Sequence, residues 1–172
     1  MNTDYKCSIC GEIHDDYPVL AYESPDSFFW LTDEEKEVFK TFLDSNFCTI
    51  DYPDQVDRFI RVVLKQKIID SDLTLDYGVW VSLSEKSYDD YSLNFNNQNH
   101  QTFYFGWLSS SIPEYTFDES IPTDVKTKIG NERPEIFPHS DFDHPFTSDY
   151  YNGITKEEAE RRIHNMLLNI SQ

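Results

Sequence analysis

Three runs of aromatic and β-branched residues occupy the middle of the chain and constrain its fold more than any other feature. They cover residues 47–50, 58–64 and 77–83. In the third run the two-residue period of a strand puts the odd-numbered residues, from Tyr77 to Leu83, on one face and Trp80 on the other. Such runs, separated by turn residues, predict strands of one mainly antiparallel sheet.

Helical signals flank these strands. Thr32 and Glu35 predict a capping box, and the apolar spacing that follows predicts a helix to residue 43. Thr155 and Glu158 predict a second capping box, which opens an amphipathic helix that runs to about residue 169. Further elements are expected at residues 84–93 (helix), 102–108 (strand) and 125–129 (strand).

The length and the absence of an evident linker predict a single α+β domain over residues 1–172. Within it, residues 1–25 are expected to form a metal-knuckle segment and residues 26–172 the body, in which helices flank the sheet. Aromatic residues make up 16% of the chain, so large rings can fill the core even though aliphatic residues are few.

The chain is strongly acidic, with 32 acidic and 14 basic residues and a formal net charge of -18. The acids are scattered, so the whole surface is expected to be negative. Such a field repels nucleic acid and anionic lipid, and it favours basic protein partners, metal ions or cationic ligands. Solubility alone is the other interpretation.

No apolar run reaches the ~20 residues that span a bilayer, and the first residues lack the pattern of a signal peptide. We therefore expect no membrane association and a cytoplasmic location. Three cysteines, two of them closely spaced, do not form a disulfide framework, which agrees with a reducing compartment.

The sharpest chemical signal is Cys7-x-x-Cys10, followed by Gly11 and His14. Two intervening residues let both sulfurs reach one ion from a tight turn, and zinc suits this ligand chemistry best. Cys48 is the only other thiol, so Cys7, Cys10, His14 and Cys48 make the simplest closed site. A closed four-ligand zinc site is structural. A redox dithiol and two ordinary buried cysteines are the alternatives.

Two further groups of residues are candidates for function. Between His139 and His144, two imidazoles and two carboxylates lie within six residues, where they could hold a divalent ion or act as an acid and base. The other interpretation is a polar loop flanked by prolines, in which His144 caps or hydrogen-bonds the backbone. Trp80, Trp107 and His144 are candidates for partner binding. Trp80 and the run from Phe103 to Leu108 could line a groove that holds a basic partner, with core packing as the alternative.

Several blocks of the sequence resemble domain-of-unknown-function family 2199, a bacterial family, in the same order along nearly the whole chain. They are Cys7 to His14, Phe47 to Asp51, Phe59 to Arg61, Gly78 to Ser84, Phe105 to Leu108, His144-Pro145 and Gly153 to Thr155. The resemblance implies one compact bacterial domain and favours His14 and Cys48 over His139 as family positions. It implies no activity.

No nucleotide-binding loop, nucleophile elbow or zinc-protease motif is present in the sequence. The first hypothesis is therefore a non-enzymatic acidic protein, of the immunity or antitoxin type, that binds a basic protein partner and contains a structural zinc site. The alternative is a small metal-dependent enzyme that uses the knuckle or the loop from His139 to His144.

Overall fold

The structure is a computed structural model that describes residues 5–6, 11–14 and 16–170, without the side chains of His14 and Ile170. Its strands are β1 (Tyr5–Lys6), β2 (Ile13–His14), β3 (Leu20–Ala21), β4 (Phe42–Leu43), β5 (Phe47–Asp51), β6 (Val56–Lys67), β7 (Thr74–Leu83), β8 (Phe103–Leu108), β9 (Pro122–Lys126) and β10 (Glu135–Pro138). Its helices are α1 (Asp26–Phe29), α2 (Asp33–Val38), α3 (Glu85–Leu93), α4 (Pro145–Asn152) and α5 (Lys156–Ile170).

The strands from β6 to β10 close into a five-stranded barrel, because β10 pairs with β6 as well as with β9. The long strands β6 and β7 pair with each other along one edge. Along the opposite edge, each of them pairs with two other strands in succession. β6 pairs first with β5 and then with β10, and β7 pairs first with β3 and then with β8. The pairings of β3 with β7 and of β10 with β6 are parallel, and the other strand pairs are antiparallel. The predicted α+β class with a mainly antiparallel sheet is confirmed.

The main core fills the barrel and the space between the barrel and α5. The odd-numbered residues of β7, from Tyr77 to Leu83, belong to this core, whereas Trp80 belongs to a separate cluster on the outer face. The face assignment from the two-residue period is therefore confirmed. From α5, Ala159 and Ile163 pack fully buried against the barrel, as the apolar stripe predicted.

The first capping box forms as predicted, since Thr32 and Glu35 each accept a hydrogen bond from the other's backbone N–H. The helix ends at Val38, however, and not at residue 43. Lys40 has a positive φ of 46°, and Phe42 then pairs with Thr49 as part of β4. The apolar spacing therefore predicts the helix correctly for only its first one and a half turns. After them, pairing of β4 with β5 overrides the helical preference.

The region before α4 differs most from expectation. β9 begins at Pro122, not at residue 125, and two elements in the proline-rich segment, β10 and α4, were not predicted. Proline at the first position of β9 is compatible with a strand, and Pro145 at the first position of α4 suits a helix start. Proline therefore begins elements here and does not exclude them.

Candidate functional site

Three aromatic side chains form an exposed strip on the outer face of β8. Phe103, Phe105 and Trp107 are 62%, 46% and 44% exposed, whereas the alternate residues of the strand are buried. The Phe105 and Trp107 rings meet edge to face, with centroids 4.9 Å apart. On β9, Asp124 lies opposite Phe105 in the sheet register. We call Phe103, Phe105 and Trp107 the aromatic strip.

A groove of about 540 Å³ begins where the aromatic strip reaches Trp107. Its walls are Trp107, two further aromatic residues, two acids and four serines: Phe59, Phe142, Asp57, Glu119, Ser27, Ser82, Ser109 and Ser120. Among these described lining residues there is no Lys, Arg or His. Partial burial raises the pKa of Asp57, opposed by a hydrogen bond from Gln55. We call this feature the Trp107 groove, and its chemistry suits a cationic group that stacks on an aromatic ring.

A buried arginine joins α5 to the barrel. Arg162 is 4% exposed and donates to Glu158 Oε1 at 2.8 Å, to the Tyr115 hydroxyl at 2.8 Å and to the Tyr77 hydroxyl at 3.3 Å. The Tyr115 hydroxyl in turn donates to Asp149 Oδ2 at 2.6 Å. Arg162 also lines a cavity of about 460 Å³ beside the second half of α5, which we call the Arg162 cavity.

Two of the sequence-predicted residues lie in the apolar cluster on the outer face of the sheet. Trp80 is fully buried there, and its indole N–H donates to the Tyr22 carbonyl at 2.9 Å, so no partner can reach it in this structure. Cys48 is also fully buried, against Ile50, Phe59 and Trp80. Burial raises the pKa of the Cys48 thiol to about 12, helped by the charge of Asp44.

The other proposed zinc ligands lie outside what the structure describes. This holds for Cys7 and Cys10 as residues and for the side chain of His14. The flanking strands β1 and β2 pair through Tyr5 and His14, and Gly11 has a φ of +74°, a conformation that favours glycine. The four-ligand zinc set stays a prediction.

The histidines between 139 and 144 have separate roles in the structure. His144 caps α4: its Nδ1 accepts from the Phe146 N–H at 3.1 Å, and its Nε2 donates to the Thr116 carbonyl at 2.9 Å. His139 instead donates to Asp124 at 3.1 Å and packs against the Phe105 ring. Both ring nitrogens of His144 are therefore engaged, as the capping interpretation expects.

Among the described residues, which do not include Cys7 and Cys10, no group of three or more His, Cys, Asp or Glu side chains is arranged to hold an ion.

Comparison with protein families gives a match over residues 6–154 to the family described as "Uncharacterized protein conserved in bacteria (DUF2199)". The chain belongs to this family. The comparisons with curated proteins and with solved structures gave no match.

The DUF2199 match includes the aromatic strip and the Trp107 groove but stops at Ile154, before α5. The family-matched part therefore contains every lining residue of the groove, whereas the Arg162 cavity also needs residues beyond the match. Across the described ranges, no helix combines the length and apolar character needed to cross a bilayer.

The sequence indicates the run from Phe103 to Leu108 as a candidate lining of a recognition groove, with core packing as the alternative. In the structure the run divides by the two-residue period: Phe103, Phe105 and Trp107 are exposed, and Tyr104, Gly106 and Leu108 are buried. No comparable signal exists for Asp57 and Glu119, because they reach the groove from distant segments of the chain.

Proposed function

We propose that this DUF2199 protein is a non-enzymatic binding protein, of the immunity or antitoxin type, that holds a basic segment of a protein partner against its aromatic strip and Trp107 groove. The observation that carries the proposal is the exposed Trp107 ring beside a groove with two carboxylates and no cation among its described lining residues. A Lys or Arg side chain there gains both a ring face and an ion pair.

The size and charge of this surface support protein binding. Isolated exposed apolar residues are ordinary, but Phe103, Phe105 and Trp107 are adjacent on one face and form a patch. Tryptophan is among the side chains that most often carry binding energy at protein interfaces, which applies to Trp107. The net charge of -18 adds long-range attraction for a basic partner and repulsion for nucleic acid.

A structural zinc ion held by Cys7, Cys10, His14 and Cys48 belongs to the same proposal, as does a cytoplasmic location. Support for zinc comes from the spacing of the two N-terminal thiols in the sequence and from the left-handed conformation of Gly11. Zinc would stabilise the fold and would leave partner binding to the barrel surface.

The test is capture of partners from a lysate of the native bacterium at low salt, with mass spectrometry and a repeat at high salt. We expect one stoichiometric basic protein, released by salt because screening weakens attraction between exposed charges. The captured protein is then purified, and its affinity is measured for Trp107→Ala and for Glu119→Gln.

The matched control is Trp30→Ala, because Trp30 is also exposed, at 77%, but does not line the Trp107 groove. We expect Trp107→Ala to weaken binding by at least about tenfold, as for an interface hot spot, and Trp30→Ala to leave it unchanged. Equal affinities of the two variants, or a complex insensitive to salt, would contradict the proposed surface.

A further inference from the structure

The Arg162 cavity is lined by none of the aromatic strip residues, and its polar groups include, within the described residues, one hydroxyl without a hydrogen-bond partner and one carboxylate without a close ion pair. Its apolar walls are Leu20, Pro113, Met166 and Leu168. Its polar lining residues are Tyr22, Tyr77, Glu114, Arg162, Asn165 and Asn169. A pocket with apolar walls and a few converging polar groups is the usual form of a small-molecule site.

The first unpartnered group is the hydroxyl of Tyr22. Its oxygen is buried, and no hydrogen-bond partner exists for it among the described residues. Burial, with the nearby Tyr77 hydroxyl and the Glu114 carboxylate, raises the pKa of Tyr22, so the phenol keeps its proton and is a hydrogen-bond donor. A buried hydroxyl without a partner is costly, and a bound ligand would remove that cost.

The second group is the carboxylate of Glu114. The side chain is only 10% exposed, yet its one ion pair within the described chain is with Arg161 at 3.9 Å, which is too long for a hydrogen bond. Enclosed carboxylates are ordinarily hydrogen-bonded or paired at close range. Glu114 therefore offers the cavity an acceptor with a full negative charge.

Arg162 provides the opposite pole. Its hydrogen bonds to Glu158 and Tyr115 fix the guanidinium in place, and this pairing raises the pKa of Arg162 against the effect of burial. The lining of the cavity thus combines a guanidinium group, a phenol donor and a carboxylate acceptor. Glu114 repels a simple anion, and Arg162 repels a simple cation.

We propose that the Arg162 cavity binds a small zwitterion of the α-amino acid class. The ammonium group donates to Glu114, the carboxylate accepts from Tyr22 and faces Arg162, and an apolar side chain packs against Met166 and Leu168. A zwitterion satisfies both poles and adds no net charge to a protein that already carries -18.

The experiment is isothermal titration of the whole protein with each of the twenty free amino acids, followed by two derivatives of the tightest ligand. N-acetylation removes the ammonium group, and amidation removes the carboxylate. We expect an apolar amino acid to bind, and each derivative to bind at least tenfold more weakly. If no amino acid binds, or if either derivative binds as well as the parent, the proposal is overturned.

Two variants connect the ligand to this cavity. Tyr22→Phe removes a hydroxyl that makes no hydrogen bond to a described residue, so the fold should keep its stability while amino acid affinity falls at least tenfold. Glu114→Gln should lower the affinity for the free amino acid and leave the affinity for the acetylated derivative unchanged. Tyr88→Phe is the control, because Tyr88 lies on α3 and does not line the cavity. Unchanged affinity in Tyr22→Phe would place the ligand elsewhere and overturn the assignment.

Discussion

Replacing Arg162 with methionine should destabilise the protein by about 2 to 4 kcal/mol. Breaking a buried ion pair by removing one partner costs about 3–5 kcal/mol, because a charge is left buried without compensation. Here Glu158 keeps its pair with Arg161, and the two carboxylates that lose Arg162 are partly exposed, Glu158 by 30% and Asp149 by 40%, so part of that cost is recovered. Methionine retains most of the apolar stem of Arg162, which limits the packing loss.

The assay is urea denaturation followed by tryptophan fluorescence, with thermal unfolding as a second measurement. A loss of this size corresponds to a fall in Tm of roughly 4 to 16 °C for a domain of this length. The matched control is Arg161→Met, since the neighbouring Arg161 also pairs with Glu158 but is 51% exposed. Exposed pairs contribute at most about 1 kcal/mol.

Equal free energies of unfolding for Arg162→Met and Arg161→Met would refute this reasoning. Such a result would mean that burial of the guanidinium does not decide the strength of the network.

Four other results are expected. Trp80→Ala should cost about 3–5 kcal/mol in urea denaturation, because a fully buried ring and its hydrogen bond to Tyr22 are lost. His144→Ala should cost about 1 kcal/mol through loss of the α4 cap, and His144→Asn should recover part of it. Hydrogen bonds from Arg161, with help from Arg162, lower the pKa of Glu158 from 4.5 to about 2. The stabilising effect of the Glu158 carboxylate is therefore present above pH 4.5 and lost as the pH falls through about 2. Over that range, the free energies of unfolding of Glu158→Gln and of the wild type should converge. Cys7→Ser or Cys10→Ser should lower stability by several kcal/mol, and chelator should lower the Tm of the wild type but not of these variants; an unchanged wild-type Tm would contradict the zinc site.

The sequence predicted those parts of the fold that depend on local spacing. The face assignment in β7 and the capping box at Thr32 follow from residues within one element, and both are confirmed. The second capping box forms only in part. Thr155 accepts from the Glu158 N–H at 3.1 Å, but the Glu158 carboxylate binds Arg161 and Arg162 instead. Ion pairs with two arginines of the same helix, three and four residues further on, compete successfully with the cap.

Contacts between distant segments could not be predicted in this way. Closure of the barrel depends on a single parallel pairing of Glu135 in β10 with Val63 in β6, and no sequence period encodes it. The Arg162 network similarly joins α5 to Tyr77 and Tyr115, which lie far away in the chain. The stripe of α5 indicated which side faces the barrel, but it gave no reason to place a charged residue there.

The strand β8 shows how the fold turns an ambiguous run into a surface. The sequence from Phe103 to Leu108 is apolar at nearly every position, as in a strand covered on both faces. In the structure only Tyr104, Gly106 and Leu108 face the core, and a Cβ on Gly106 would come within 3.1 Å of Val125, so the interior is already full there. The side chains of Phe103, Phe105 and Trp107 alternate with these residues and therefore lie on the outer face. Solubility favours polar residues at such positions, and this chain with a net charge of -18 nevertheless has two phenylalanines and a tryptophan there. The proposed partner contact would account for these residues, and the affinity of Trp107→Ala, rather than its stability, tests that proposal against the interpretation that the acidic surface serves solubility alone.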